Sequence, residues 1–391
     1  MTTAPDLAAD AIPGAVPSTG VLAITGFGVL SGAGIGPEAL AAAVASPARP
    51  SDVSEMFEEP LPRPDAHALV DFKVRDHLGR KGTSFFDRST SIGLVACKAA
   101  LADTDLEVDD GNRARIGIAL GTTAGSAKST SDYSRDTFTQ ERPYLVNPLL
   151  FPNAVMNCAA GQAGIWFGLQ GPNSTIAGGS LAMLNVLRYS RNLINCGYAD
   201  ALLAGAVEEF SPLSAWAVHY AQSTDGGSLS AGEGGAVFVV ESAEAVRASG
   251  RCPDAEVLAV EVGVFDPPGP DGTFTDGLIV CLTRALDRAG VRASDVRTVV
   301  GATNGMARLD DAEEAAVTAV LGADVPRLPV KEATGEAFSA FGAFQLAALL
   351  ARHRADPGRD GEISVIVTRS ADGAAGAAVV RGWSRADAHH G

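Results

Sequence analysis

Ser180 follows Gly178 and Gly179 at the start of a helix expected over residues 180–194, a place where a nucleophile could use the helix dipole. A helix N-terminus acidifies a thiol usefully, but a serine hydroxyl is far less acidic, so Ser180 would need an adjacent base to attack anything. The run Ala302-Thr303-Asn304-Gly305-Met306-Ala307 offers no imidazole, and neither Thr303 nor Asn304 accepts a proton near neutral pH. Lys331 and Glu336 lie five residues apart in a loop, and Lys331 is expected to pair either with Glu336 or with a carboxylate of the cluster Asp310, Asp311, Glu313 and Glu314. Ser126, Ser129 and Tyr133 stand at i, i+3 and i+7, which places them on one helical face, with two small residues ahead of a large one. A plainer reading leaves these serines facing solvent or a helix cap. Glu208 is expected to satisfy buried backbone groups, His219 to be structural, and Cys158 to pack on a helix. Metal chemistry has no support in the spacing: the five cysteines never form a C-x-x-C pair, and two of the six histidines, His389 and His390, lie at the tail. The cysteines read as small buried hydrophobes, and no metal or cofactor is expected.

The elements that must position these residues alternate strand and helix. A strand over 21–25, a glycine-rich turn over 26–36 and a helix over 37–45 open the chain, with Pro37 in the first helical turn. Residues 46–82 read as a long excursion. A helix over 87–102, a strand over 115–121, a second Pro-rich excursion ending near Pro152 and a helix over 154–167 follow. Next come a segment at 174–177, the helix led by Ser180, and strands over 201–207 and 234–241. After a short helix over 242–250 the pattern repeats, with strands at 255–264, 298–303, 363–368 and 376–381. Helices are expected at 275–289, 311–321 and 337–355, with a loop over 326–335. The grammar is α/β in both halves, 21–252 and 253–385, and implies mostly parallel sheets covered by helices. Residues 1–20 read as a disordered lead-in and 386–391 as a disordered tail.

At 391 residues the chain fits two packed halves, and its composition of 46% hydrophobic residues, 44 glycines and only 6% aromatics suits close packing of small side chains. A formal charge of −16 argues against nucleic acid or an anionic membrane as the main partner. The sequence has no long unbroken apolar run and no signal-peptide pattern at its start, so a cytoplasmic location is expected.

Three stretches together resemble the β-ketoacyl synthases of fatty acid and type II polyketide assembly. They are Ile24-Thr25-Gly26-Phe27-Gly28-Val29-Leu30-Ser31; Gly168-Leu169-Gln170-Gly171-Pro172-Asn173 through Gly178-Gly179-Ser180; and Lys331-Glu332-Ala333-Thr334-Gly335-Glu336. The resemblance covers about residues 20–383. It implies a thiolase-like fold in which two similar halves make five αβαβα layers, and a dimer that pairs through a strand near the nucleophile.

The same resemblance implies that catalysis is missing. Condensation needs a thiolate to hold the acyl chain and donors to stabilise an enolate. In the family these are a cysteine and two histidines; here Ser180 takes the cysteine's place, Thr303 or Asn304 the first histidine's, and Glu336 the second's. An ionised Glu336 would repel a developing enolate, whereas a protonated one could donate a single hydrogen bond. Lys331 is retained. The family's Gly-Phe-Gly-Gly turn is replaced by Ala371-Asp372-Gly373-Ala374-Ala375-Gly376, without its bulky residue. Such degenerate relatives resemble chain-length factors, which pair with a catalytic ketosynthase and line an acyl tunnel. Ser126, Ser129 and Tyr133 would then face that tunnel, with Tyr133 as the deeper stop. A phosphopantetheinylated acyl carrier protein is the further partner, and the acidity of this chain directs its docking mainly to the catalytic subunit. The alternative is a thiolase-fold acyltransferase or thioester hydrolase using Ser180, with Glu336 as its base.

Overall fold

The computed structural model describes residues 20–47, 49–225, 229–269 and 273–385. The lead-in expected over 1–20, apart from Gly20, and the tail at 386–391 lie outside the described residues. No helix among these residues is long and apolar enough to cross a membrane.

The first half opens with β1 (Leu22–Ser31), whose ten residues are all buried, and it runs straight through the glycines expected to form a turn. The physical reason is close helix packing: a β-carbon on Gly28 would lie 2.5 Å from that of Ala99. A short β2 (Gly34–Ile35) folds back on it, and α1 (Pro37–Ala45) follows with its proline in the first turn, as expected. The described residues of the 46–82 excursion hold only β3 (Ser51–Asp52), β4 (Asp65–Ala66) and α2 (Val74–Leu78). Helix α3 (Arg88–Ala102) starts where Asp87 accepts a hydrogen bond from the Thr90 N–H at 2.9 Å. Then come β5 (Ile116–Thr122), α4 (Ala127–Thr139), α5 (Phe151–Ala154) and α6 (Cys158–Phe167). Val155 is extended and breaks the single helix expected from residue 154. Strand β6 (Asn173–Ala177), α7 (Ala182–Asn195) and β7 (Ala201–Glu208) complete the unit around Ser180. Helix α8 (Pro212–Asp225), absent from the sequence reading, precedes β8 (Gly234–Ser242) and α9 (Ala243–Ala248).

The second half comprises β9 (Ala255–Val264), α10 (Thr273–Ala289), β10 (Val296–Val300), α11 (Ala307–Leu321) and α12 (Lys331–Thr334). It ends with α13 (Phe338–Arg354), β11 (Ile363–Arg369) and β12 (Ala374–Gly382).

Strand order runs β6-β5-β7-β8-β1 in the first half and β10-β11-β12-β9 in the second, and a parallel bridge from Val299 to Arg327 stands where a fifth strand would complete the match. The two halves therefore share one topology and one pattern of strand sense. They meet where β1 and β9 pair antiparallel, Leu22 opposite Val257 and Ile24 opposite Ala255. The sheet is mixed, which corrects the expectation of mostly parallel pairing. Among the described residues, the strand pairs that run parallel are β5 with β6, β5 with β7 and β10 with β11. Strands β11 and β12 are joined by Ser370–Gly373, too short for a crossover, so they must run antiparallel.

Three core clusters define five layers. One packs α3 and α6 on the outer side of the first half-sheet, one packs α10 and α11 on the outer side of the second, and the largest joins α7 and α13 to the inner faces of both. Helix α13 is buried at all but three of its residues because sheet covers it on both sides. Its last turn stitches the halves together, as Arg354 contacts Asp103 at 2.5 Å and Asp254 at 2.6 Å.

Candidate functional site

Where the inner ends of α7 and α13 meet the β11–β12 turn, a cavity of about 320 Å3 opens. It brings together Ser180, Asn304, Lys331 and Glu336, four residues separated by up to 156 positions in the chain. Thr303 is exposed and does not line it, so Asn304 is the residue of that pair that faces the site. No cysteine and no histidine is among the described lining residues.

Ser180 sits in a 3-10 turn, Gly179–Leu181, one turn ahead of the α-helical start at Ala182. Gly179 has φ 48°, a left-handed conformation that suits glycine. Among the described residues no base is hydrogen-bonded to the Ser180 hydroxyl, so nothing activates it.

Glu336 is placed by backbone pairing and by its counter-ion. Its N–H donates to Ser230 O and its carbonyl accepts from Gly232 N, both at 2.9 Å. A β-carbon on Gly232 would collide with the Thr334 carbonyl, so this approach requires glycine. Lys331 Nζ lies 2.7 Å from Glu336 Oε2, with the two side chains 6% and 14% exposed, and 4.1 Å from the Phe341 ring centroid. The other carboxylate oxygen accepts from the Phe338 N–H at 3.1 Å, at a residue held at φ 41°. Of the two partners expected for Lys331, the structure selects Glu336.

The acidic cluster serves a different cation. Arg369, buried at the end of β11, places Nε 2.6 Å from Glu313 Oε2 and also pairs with Asp310. Glu313 in turn accepts from the Ala302 N–H at 2.9 Å, and Asp310 accepts from the N–H groups of Asn304 at 3.0 Å and Gly305 at 2.8 Å. The Asn304 amide is occupied locally, donating to Met306 Sδ at 3.3 Å and accepting from the Met306 N–H at 3.2 Å. Arg369 was missed by sequence reasoning. A lone charged residue closing an otherwise uncharged strand, Ile363–Arg369, was the available signal.

Ser126, Ser129 and Tyr133 are elsewhere, and none of them lines the cavity around Ser180. Ser126 is the N-cap of α4 and lies outside the helix proper. Its hydroxyl accepts from the Ser129 N–H at 3.1 Å and donates to Glu209 Oε2 at 3.1 Å. Tyr133 is half-buried, its ring 6.0 Å from that of Phe151. Helix α4 itself has no buried residue.

Glu208 accepts from the hydroxyls of Ser339 at 2.5 Å and Thr123 at 2.6 Å and from the Ser339 N–H at 3.3 Å, tying β7 to α13. Burial pushes its carboxyl up to about 7, and burial does the same to neighbouring Glu209. His219 is exposed on α8, edge-on to Trp216 at 5.5 Å. Cys97 and Cys281 are buried, but Cys158 is half-buried and Cys196 and Cys252 are exposed. That corrects the expectation of five buried thiols. Cys196 caps the end of α7 and Cys252 lies in the link to β9, both positions at the surface.

Residues 21–245 match the beta-ketoacyl synthase N-terminal domain and residues 271–355 its C-terminal domain. The chain belongs to the beta-ketoacyl synthase family. Its similarity to solved structures includes the ishigamide ketosynthase/chain length factor, with TM-score 0.83 and 34% identity over 93% of this chain and 100% of that one. A ketosynthase in complex with its type II acyl-carrier protein, bound to a hexaketide, aligns with TM-score 0.72 and 20% identity over 93% of this chain and 99% of that one, which shows the fold alone. In sequence, the chain is 28% identical over 362 residues to the tetracenomycin polyketide synthase ketoacyl synthase alpha subunit of Streptomyces glaucescens, covering 83% of each. It is 26% identical to 3-oxoacyl-[acyl-carrier-protein] synthase 2 of Staphylococcus aureus (strain N315), over 63% of each chain. The thiolase-like fold and the family expected from the three stretches are both present.

Proposed function

We propose that this chain is the non-condensing, chain-length-factor-like subunit of a type II polyketide or polyene synthase. It pairs with a catalytic ketosynthase and shapes the acyl tunnel between them. The observation that carries this reading is the Lys331–Glu336 ion pair, 2.7 Å long, in a cavity where Ser180 has no base and Asn304 is tied to Met306. A nucleophile and two enolate donors are what condensation requires, and none of the three is supplied.

The outer surface supports pairing. Strand β6 ends three residues before Ser180 and, among the described residues, bonds to β5 on one side only, which leaves a sheet edge open there. On or beside α4, α5 and α6, Phe138, Phe151, Met156 and Ile165 are exposed, and α6 packs against β6. An open edge flanked by large apolar side chains is the kind of surface a second subunit covers. The cleft beside Ser126 is only about 10 Å3, so a tunnel at α4 needs that second subunit to complete its wall. Similarity to the ishigamide ketosynthase/chain length factor supports the same assignment.

The test has two parts. Co-expression with a condensing ketosynthase that retains the cysteine and both histidines, followed by sizing, should give a one-to-one complex. Incubation of the isolated chain with an acyl thioester should then leave its mass unchanged. An acyl adduct that Ser180→Ala abolishes would establish the acyltransferase reading instead.

A further inference from the structure

Glu209 is a buried carboxylate that does not line the cavity around Ser180. It follows β7 directly, is 1% exposed, and turns both oxygens to the start of α4. Oε1 accepts from the Lys128 N–H at 2.8 Å, and Oε2 accepts from the Ser126 hydroxyl at 3.1 Å. A carboxylate in this place complements the free N–H groups and the positive pole of a helix N-terminus.

The backbone on either side of Glu209 is pinned. Glu208 accepts from the Ser339 hydroxyl of α13 at 2.5 Å, and the Phe210 N–H donates at 2.9 Å to the buried Glu233, which is paired with Arg88. Residues 208–210 thus form a fixed post at the end of the sheet. Helix α4 has no comparable fixing from packing. It has no buried residue, and it leans on α5, which has none either, and on α8. Its ion pairs run to Glu59 in the 46–82 excursion, from Lys128 at 3.3 Å and Arg135 at 3.1 Å, and pairs so open to solvent hold little. A helix that buries no face takes its position from its polar anchors, and Glu209 is the anchor that joins α4 to the end of β7.

We infer that Glu209 is a positioning residue: by holding the first turn of α4 against the sheet it fixes where Tyr133 stands, and so sets product length. The inference rests on the reading above in that it takes α4 to wall an acyl tunnel. Tyr133 lies five residues beyond Lys128, about 7.5 Å along the helix axis, so a helix that tilts about its first turn carries the tyrosine ring with it. That ring leans on Phe151, itself 57% exposed, which is a poor brake on such a tilt. The anchor works through hydrogen bonds and does not need the charge. An amide at 209 can accept from the Lys128 N–H and donate to Ser126 Oγ, whose own proton then goes to Ser129 Oγ at 2.8 Å.

Two readouts test this: hydrogen exchange of the α4 amides in the isolated chain, and the length distribution of the polyketide made by the purified one-to-one complex with a condensing ketosynthase. In Glu209→Leu the α4 amides should exchange about tenfold faster or more. The single main product should give way to a spread of lengths at unchanged total turnover, because the condensing groups belong to the partner. Glu209→Gln should match the wild type in both readouts. Lys128→Pro withdraws the same donor from the helix side, in a first turn that tolerates proline, and should act like Glu209→Leu; Lys128→Ala keeps the N–H and should act like the wild type. This second pair decides the matter where unfolding midpoints show that Glu209→Leu fails to fold. Wild-type exchange or wild-type product length in both Glu209→Leu and Lys128→Pro overturns the inference. So does a fall in turnover with length unchanged, the mark of a merely structural role, and so does a Glu209→Gln chain that behaves like Glu209→Leu. A chain that pairs with no ketosynthase sinks the subunit reading, while the exchange measurement still decides the anchor. One that pairs and sets length regardless of residue 209 sinks the positioning role alone.

Discussion

Glu336→Ala removes one half of the buried Lys331–Glu336 ion pair in the cavity that Ser180 lines, and its cost can be worked out from the surroundings. Deleting one partner of a buried pair costs about 3–5 kcal/mol, because the other charge is left without a counter-ion. With Lys331 6% and Glu336 14% exposed on their side chains, solvent screening offsets little of that. The Phe341 ring, 4.1 Å from Lys331 Nζ, remains and supplies a desolvated cation–π contact of about 2 kcal/mol, so the lower end of the range applies, about 3 kcal/mol. An unfolding entropy of about 2.1 cal/mol/K per residue over the 391 residues turns that into a Tm lower by about 4 °C. Lys331→Met strands the carboxylate in the same way and should cost about as much. The double variant Lys331→Met/Glu336→Gln removes both charges and should return to within about 1 kcal/mol of the wild type, because a buried pair replaced as a unit is often neutral. Urea and thermal unfolding of the four proteins at one concentration then yield a coupling energy of at least about 2 kcal/mol. Two small, additive single-variant effects would refute the reasoning. They would mean that Lys331 and Glu336 are not committed to each other, which leaves a carboxylate free to act as a base beside Ser180.

The remaining predictions concern the elements around the cavity. Burial raises the Glu208 carboxyl from 4.5 to about 7, so its stabilising contribution is complete below about pH 4.5 and is lost as pH rises through about 7. Glu208→Gln should therefore show a shallower fall in unfolding free energy than the wild type between about pH 5 and pH 8, and parallel curves would exclude this carboxyl as the source. Ser126→Ala removes the cap of α4 and should cost about 1 kcal/mol, read as a lower urea midpoint with unchanged slope; an unchanged midpoint would deny the cap any weight. In the complex with a catalytic ketosynthase, Tyr133→Ala should lengthen the polyketide product in mass spectrometry. Unaltered product length would remove Tyr133 as the end-stop.

Much of this protein was legible because chemistry and spacing travel together in a sequence. Lys331 and Glu336 lie five residues apart, so Glu336 was legible as one of two partners for Lys331, beside the acidic cluster at 310–314. The alternation of apolar β runs with helical segments gave both halves. Gly26 and Gly28 misled, because a glycine in a strand that admits a packed helix looks the same in sequence as a glycine in a turn. The break at Val155 was missed because the four-residue α5 beside Pro152 carries little periodicity, and α8 was missed because its apolar residues run consecutively, Ala215 to Val218, instead of recurring at helical spacing. Parallel or antiparallel sense was not legible from apolar content alone, since a strand buried on both faces reads as a continuous apolar run in either case.

By itself the sequence determined which groups these positions can offer: a hydroxyl at Ser180, an amide or hydroxyl at 303–304, and a carboxylate at Glu336. No folding can turn those into a thiol or an imidazole. Only the tertiary structure decided how they are held. It chose Asn304 over Thr303, gave the acidic cluster to Arg369 and left Lys331 to Glu336, because these partners come from loops brought together by α7, α13 and the β11–β12 turn. It also gathered Lys73, Arg75, Arg80 and Arg88 around one groove that the net charge of the chain conceals, since charge in a sequence is a sum and a field at a surface depends on where each charge sits.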